Sequence, residues 1–230
     1  MSSSVNTSTA WDVANGIVKV GPYDIELPPL GKTWRAPTPV VHEAGFARCL
    51  SPSALHADPA FAQRSDLLSW VEANVLPEVA TGKMSAGPSP QWLRQAIPVV
   101  DLFGKWLGEG ARGSAHVTAL LGLGPGLTPA GDDFIVGALI ALRTIGRTTA
   151  FDALAAQVGS QLTGSTTTVS AAHLRAACRG EAIEPLHLAA QALVQDGTLG
   201  ASQLSELGQF GASSGADALA GVITVLKRLR

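Results

Sequence analysis

Hydrophobic and polar positions change their rhythm along the chain. From Gly16 to Leu27 the stretch GIVKVGPYDIEL carries two short, partly alternating runs around Gly21-Pro22, the pattern of a β-hairpin or a pair of edge strands. Pro28, Pro29, Pro37 and Pro39 then punctuate the chain up to VVHEAGFARCL, which predicts irregular or short-stranded backbone. Beyond Asp58 the spacing becomes helical: Phe61, Leu67, Leu68, Val71, Val75 and Leu76 recur at intervals of about three and four. A second helix is predicted from Pro90 to Leu107, bent at Pro98, and helical periodicity returns over 112–121, 129–145, 148–162, 168–178, 184–195 and 213–229. Together these elements predict an α+β fold, mainly helical in its C-terminal region with a small N-terminal β or irregular portion. The expected division is a leader and short-strand region over 1–57 and a helical domain over 58–230.

Composition narrows the function classes. With 230 residues, 46% hydrophobic and 15% charged, the chain is long enough to bury a large core. Its net charge of -2, its pI near 6.2 and its scattered Lys and Arg residues offer no basic surface to a phosphate backbone, which excludes nucleic acid as a partner. The longest apolar run, Phe134 to Leu142, falls well short of the roughly 20 residues a membrane helix needs. The opening MSSSVNTSTAWDVANG lacks the basic start and apolar centre of a secretory signal and reads as a short flexible leader, so a cytoplasmic protein without a membrane partner is expected. Cys49 and Cys178 have neither zinc spacing nor the numbers for a disulfide framework, and read as core or free thiols.

The most specific stretch is LLGLGPGLTPAGDDFIVGALIALRTIG, Leu120 to Gly146. Gly122, Gly124 and Gly126 let the backbone turn tightly or approach a ligand, and Pro125 stiffens the loop. Thr128 before Pro129 is a good helix start, which places Asp132 and Asp133 in the first turn. The helix dipole favours carboxylates there by only about 0.3–1 kcal/mol, less than the several kcal/mol that burial of an unpaired carboxylate costs. Because FIVGALIAL is apolar on nearly every face, this helix is expected to run through the interior and deliver its Asp pair to a cleft. Carboxylates in a cleft need a partner: a divalent cation such as Mg held by Asp132 and Asp133, a substrate amide or hydroxyl, or an Arg. The plain structural reading has one Asp capping and the other pairing with Arg.

The pattern is echoed. PAGDDFIVG, Pro129 to Gly137, aligns with SSGADALAG, Ser213 to Gly221, matching Gly131 with Gly215, Asp133 with Asp217 and Gly137 with Gly221. In each copy the Asp precedes a Gly by one helical turn, so a carboxylate and a gap share one face, and two helices packed at these glycines would bring Asp133 and Asp217 to one site. Between the copies, Thr163 and Ser165 to Thr168 form a hydroxyl run before a helix that includes Ser170; such a run binds an anion or simply caps. His173 on an Ala-rich helix reads as a packed or solvent-facing residue. The other histidines show no metal spacing, and no serine has a nucleophile-elbow context. The candidate catalytic residues are therefore Asp132, Asp133 and Asp217, and the candidate anion-binding residues are Gly124, Gly126, Thr128, Gly131, Thr167, Thr168, Ser170, Ser213 and Ser214.

GLGPGLTPAGDDFIVG, the Thr/Ser run through Ser170 and Leu174, and the late GASSGADALAG together resemble the AllH-like family over about residues 120–230, a domain family of which one branch is described as a subunit of oxamate carbamoyltransferase in allantoin breakdown. The family loop usually has Ser where this chain has Ala130, so one hydroxyl is missing here. The resemblance implies carbamoyl transfer between oxalurate and phosphate, a reaction that needs an oxyanion-stabilising pocket and a phosphate site. It also implies other subunits of a transferase complex as partners. The expected function is that of a cytoplasmic enzyme or enzyme subunit acting on a small anionic, carbamoyl- or phosphate-bearing metabolite. The competing expectation is a non-catalytic ligand-binding or assembly subunit.

Overall fold

Two helices built from the repeated motif occupy the core of the larger unit of the chain. In the computed structural model, which describes residues 11–12, 17–20, 23–26, 34–37, 59–75 and 89–229, contacts divide the chain into a unit over 1–35 and a unit over 36–230. The first contains a three-stranded antiparallel meander of β1 (Trp11–Asp12), β2 (Ile17–Val20) and β3 (Tyr23–Glu26), in which Val20 pairs with Tyr23 and Ile17 with Glu26. Of the expected leader over 1–16, Trp11 and Asp12 form β1, and its other residues lie outside the described residues together with Cys49 and Leu76.

The second unit contains α1 (Pro59–Ala62), α2 (Asp66–Val75), α3 (Gln91–Gly108), a 3-10 turn (Val117–Leu120), α4 (Ala130–Thr144), α5 (Thr148–Gln161), α6 (Thr168–Ala177), α7 (Glu184–Gln195), α8 (Ala201–Gly208) and α9 (Ser214–Arg228). The expectation of an α+β class is corrected to mostly α. Strand residues among those described are confined to the three short strands of the first unit, and the hydrophobic core is formed by side chains from the helices and the segments joining them.

α4 and α9 run side by side in the same direction, with every residue buried except Val136 and Arg143 of α4 and the last two of α9, as their continuous apolar sequences dictate. Their contact is set by the two glycines. A Cβ on Gly137 would stand 1.8 Å from the carbonyl oxygen of Ala218, and one on Gly221 would stand 2.0 Å from that of Phe134. Phe134 and Ala218 are matching positions in the same register that pairs Gly137 with Gly221, so the two copies of the motif grip each other reciprocally. α3 closes one flank through Phe103, whose ring meets Phe134 edge-on at 5.9 Å. α2, α6 and α7 pack on the other exposed sides of the pair.

Two predicted elements differ and one element was not predicted. The helix over 112–121 is reduced to the 3-10 turn, because Gly110, Ala111, Gly113 and His116 all take positive φ and break the helical path before Val117. The periodic stretch after Asp58 is divided at Arg64 and Ser65 into α1 and α2. α8, which carries no periodic signal beyond Leu204 and Leu207, was not expected; it begins where the Gly200 amide donates to Gln203 Oε1 at 2.7 Å. α3 runs continuously through Pro98.

Candidate functional site

Because α4 and α9 are parallel, both N-termini and all three motif carboxyls gather at one end of the pair. Neighbouring helical residues do not face the same way, and the two aspartates of α4 enter different surroundings. Asp132 is fully buried and takes three protein donors: the Gly122 amide at 2.8 Å on Oδ1, and the Ser170 hydroxyl at 2.7 Å and the Thr166 hydroxyl on Oδ2. It ties the glycine loop and the start of α6 to α4. Gly122, at φ +72, makes this possible, since a Cβ there would strike the Ser165 carbonyl at 2.3 Å.

Asp133 points instead into a pocket of about 240 Å³, whose wall it shares with Val136, His173, Glu181, Phe210, Ser214 and other, mainly apolar, residues. Asp133 is 4% exposed, and the hydroxyls of Ser214 and Thr128 hydrogen-bond to it while its Oδ2 has no hydrogen-bond partner. Burial pushes its pKa up to about 8, with Asp217 and then Asp132 adding repulsion and the two hydroxyls pulling the other way. Asp217 lies behind it. Ser65 donates to Asp217 Oδ1 at 2.5 Å, Ser213 also hydrogen-bonds to it, and Oδ2 has no hydrogen-bond partner. Burial raises Asp217 to about 6, with Asp66 adding to the rise and the two hydroxyls opposing it. The two carboxyls are thus close enough to repel, as the paired-motif reading expects, but only Asp133 lines the pocket.

The remaining candidates fall into two groups. Thr128 Oγ1 and Ser214 Oγ are 2.8 Å apart and join the loop to the start of α9. Thr128 therefore does not cap α4; Pro129 occupies the position before its first turn, and its carbonyl accepts from the amides of Asp132 and Asp133. Ser213 stands just before α9 and accepts from the Asp217 amide through its carbonyl. Gly124, at φ +122, lies against Ala130, Gly126 is open to space, and Gly131 is buried with its Cα 's missing Cβ position 2.2 Å from the Leu120 carbonyl. Thr167 caps α6 by accepting from the Ser170 amide at 3.0 Å and donates to the Leu127 carbonyl at 2.5 Å, while Thr168 is exposed in the first turn. The hydroxyl run is thereby engaged mainly with Asp132 and the loop.

The Asp132–Asp133 pair does not fit a divalent cation. Both oxygens of Asp132 are taken by protein donors, and no group of three or more His, Cys, Asp or Glu residues able to hold a metal occurs among the described residues. Sequence reasoning did not reach Ser65, Glu181 or Phe210, and set His173 aside. Ser65 meets Asp217 across 152 positions of sequence, and no local pattern marks such a pairing. Cys178 is a free, half-buried thiol whose pKa is raised by burial, and it takes no part in the pocket. No helix among the described residues is long and apolar enough to cross a membrane.

Residues 120–226, from the end of the 3-10 turn almost to the end of α9, match the family described as oxamate carbamoyltransferase subunit AllH. The match spans both copies of the motif and agrees with the resemblance seen in the sequence. No curated protein and no solved structure matches the chain.

Proposed function

We propose, from the premise of that family match, that this chain is a subunit of a cytoplasmic carbamoyl-transferring enzyme and binds a small anionic, carbamoyl-bearing metabolite where α4 and α9 begin. Asp133 carries this reading: a buried carboxyl on a pocket wall, with one unpartnered oxygen and a pKa near 8. Near neutral pH it keeps its proton and presents an O–H donor beside a carbonyl acceptor. A carbamoyl group is the complement, an N–H donor beside a C=O acceptor. A neutral acid against that carbonyl also stabilises negative charge that develops on it during transfer.

The anionic remainder is favoured by the N-termini of both helices, each worth about 0.3–1 kcal/mol to a nearby negative charge. The Gly124–Thr128 loop adjoins the pocket through the Thr128–Ser214 hydrogen bond, and the Thr167–Ser170 turn braces that loop. A subunit has partner chains, and Leu127 and Val169, 71% and 45% exposed on segments joined by the Thr167–Leu127 hydrogen bond, favour the second reading that this face also serves assembly.

Calorimetry with oxamate and oxalurate at pH 6.5 and 9.5 tests the proposal. Binding is expected at pH 6.5 and is weakened at least about tenfold at pH 9.5, as Asp133 loses its proton among Asp217, Asp132, Glu181, His173 and the two hydroxyls. Asp133→Leu abolishes binding, and Asp133→Asn, which keeps a donor beside an acceptor, binds alike at both pH values. Absence of binding by either compound, or binding indifferent to Asp133→Leu, overturns the proposal.

A further inference from the structure

The pocket beside Asp133 is larger and more apolar than a carbamoyl group requires. Its volume of about 240 Å³ is on the order of eight times the roughly 30 Å³ that a water molecule occupies in the liquid. A carbamoyl group fills a fraction of that space. The two carboxyl groups on the wall are those of Asp133 and Glu181, and Glu181 is turned outward to Arg179 at 2.9 Å. No Lys or Arg lines the pocket among the described residues, so an ionised group placed inside meets no ammonium or guanidinium to offset its desolvation.

The rest of the wall is aliphatic except for two rings. Phe210 and His173 stand with ring centres 5.9 Å apart and planes tilted by 37°. Phe210 is fixed by the turn that also presents Ser214. Its carbonyl accepts from the Gly215 amide at 3.2 Å, and Gly211, at φ +67, reverses the chain so closely that a Cβ there would stand 2.7 Å from Ser214 Oγ. One short turn thus places an aromatic face and the hydroxyl partner of Asp133 on the same cavity.

We propose that this pocket selects an uncharged amide carried on a flat apolar body, with the amide edge on Asp133 and the flat body against Phe210 and His173. The inference rests on the reading of Asp133 as the amide-binding group and adds what selects the remainder of the molecule. Any negative charge on the ligand then lies toward the N-termini of α4 and α9 and away from Phe210 and His173.

NMR titration of the full chain at pH 6.5 with acetamide, benzamide and benzoate separates these contributions. Benzamide is expected to bind at least about tenfold tighter than acetamide through apolar burial and ring contacts, and benzoate, of the same shape but charged, about tenfold weaker than benzamide. Phe210→Ala brings benzamide to within about threefold of acetamide. Phe210→Leu, which keeps apolar bulk on the turn without the ring, weakens benzamide in the same direction. Equal binding of benzamide and acetamide, benzoate as tight as benzamide, or a preference untouched by both Phe210 variants overturns the inference. If acetamide binding that depends on Asp133 survives such a result, the carbamoyl reading stands without the flat body; if no amide binds, both fall.

Discussion

Two adjacent aspartates in one helical turn do opposite things here. Asp132 is an acceptor for Gly122, Thr166 and Ser170, whereas Asp133 holds an unpartnered oxygen at a pocket. The same substitution should therefore act in opposite directions. Asp132→Asn replaces one acceptor oxygen with a donor that faces either the Gly122 amide or the Thr166 and Ser170 hydroxyls, and is expected to cost about 1–3 kcal/mol, or roughly 2–4 °C of melting temperature per kcal/mol in a chain of this size. Asp133→Asn removes a group that is neutral in the fold up to about pH 8 but ionised in the unfolded chain above about pH 4. Its wild-type form loses stability as pH rises through that window, so the variant should gain on wild type from pH 4 to 8 and hold the gain above. Thermal melts across pH decide it; equal losses for both variants would mean Asp133 is structural. The sequence located this pair but could not apportion it, because the direction of each side chain depends on where α6 and α9 dock.

At the scale of elements, the legible part was the long helices. The segments expected over 129–145, 148–162, 168–178, 184–195 and 213–229 correspond to α4, α5, α6, α7 and α9, because each buries a continuous face whose period shows in the sequence. The repeat also carried real geometry, since the Asp-x-x-x-Gly spacing marked the contact between α4 and α9. What stayed hidden was short or set by backbone: α8 buries only Leu204 and Leu207, and the expected helix before Leu121 is defeated by left-handed residues. The interlock can be measured. Gly221→Ala places a methyl 2.0 Å from the Phe134 carbonyl and is expected to cost about 1–3 kcal/mol or more by forcing the helices apart. Gly159→Ala, in α5 with nothing within 4 Å, is expected to stabilise by about 0.4–1 kcal/mol. Chemical denaturation of the two variants should show opposite signs, and a neutral Gly221→Ala would contradict the close packing.

At the scale of the whole molecule, the helical body overrode the weight that sequence reading gave to the N-terminal strands. Their alternation was real in pattern, but the described strands belong to the smaller unit, whereas the helices make up the larger. The larger unit is also unusual in its buried charge. Burial raises Glu72 to about 7, Asp217 to about 6 and Asp133 to about 8, and lowers His187 to about 4, with Arg143 adding to that fall. The three carboxyls withdraw stability as pH rises from about 4 until each ionises in the fold, whereas His187 withdraws it only as pH falls from about 6.5 to 4. Between pH 5.5 and 8.5 the carboxyls outweigh the histidine, so the melting temperature is expected to be higher at pH 5.5. A flat or rising profile over that interval would contradict the burial of these groups in neutral form.

The reciprocal grip of Gly137 and Gly221 has a further consequence for how the cavity breathes. Backbone meets backbone at that crossing, so α4 and α9 have no flexible side chains between them to absorb sliding, and Asp133, Val136, Ser214 and Ala218 form a wall that moves as one piece. Entry and exit of a ligand cannot come from parting these helices without breaking the core. The motion is left to the facing side, where Glu181 sits in the exposed turn between α6 and α7, because Phe210 is held with Ser214 by its bond from the Gly215 amide. The chemical half of the pocket is its fixed half, and its door is the turn that carries Glu181.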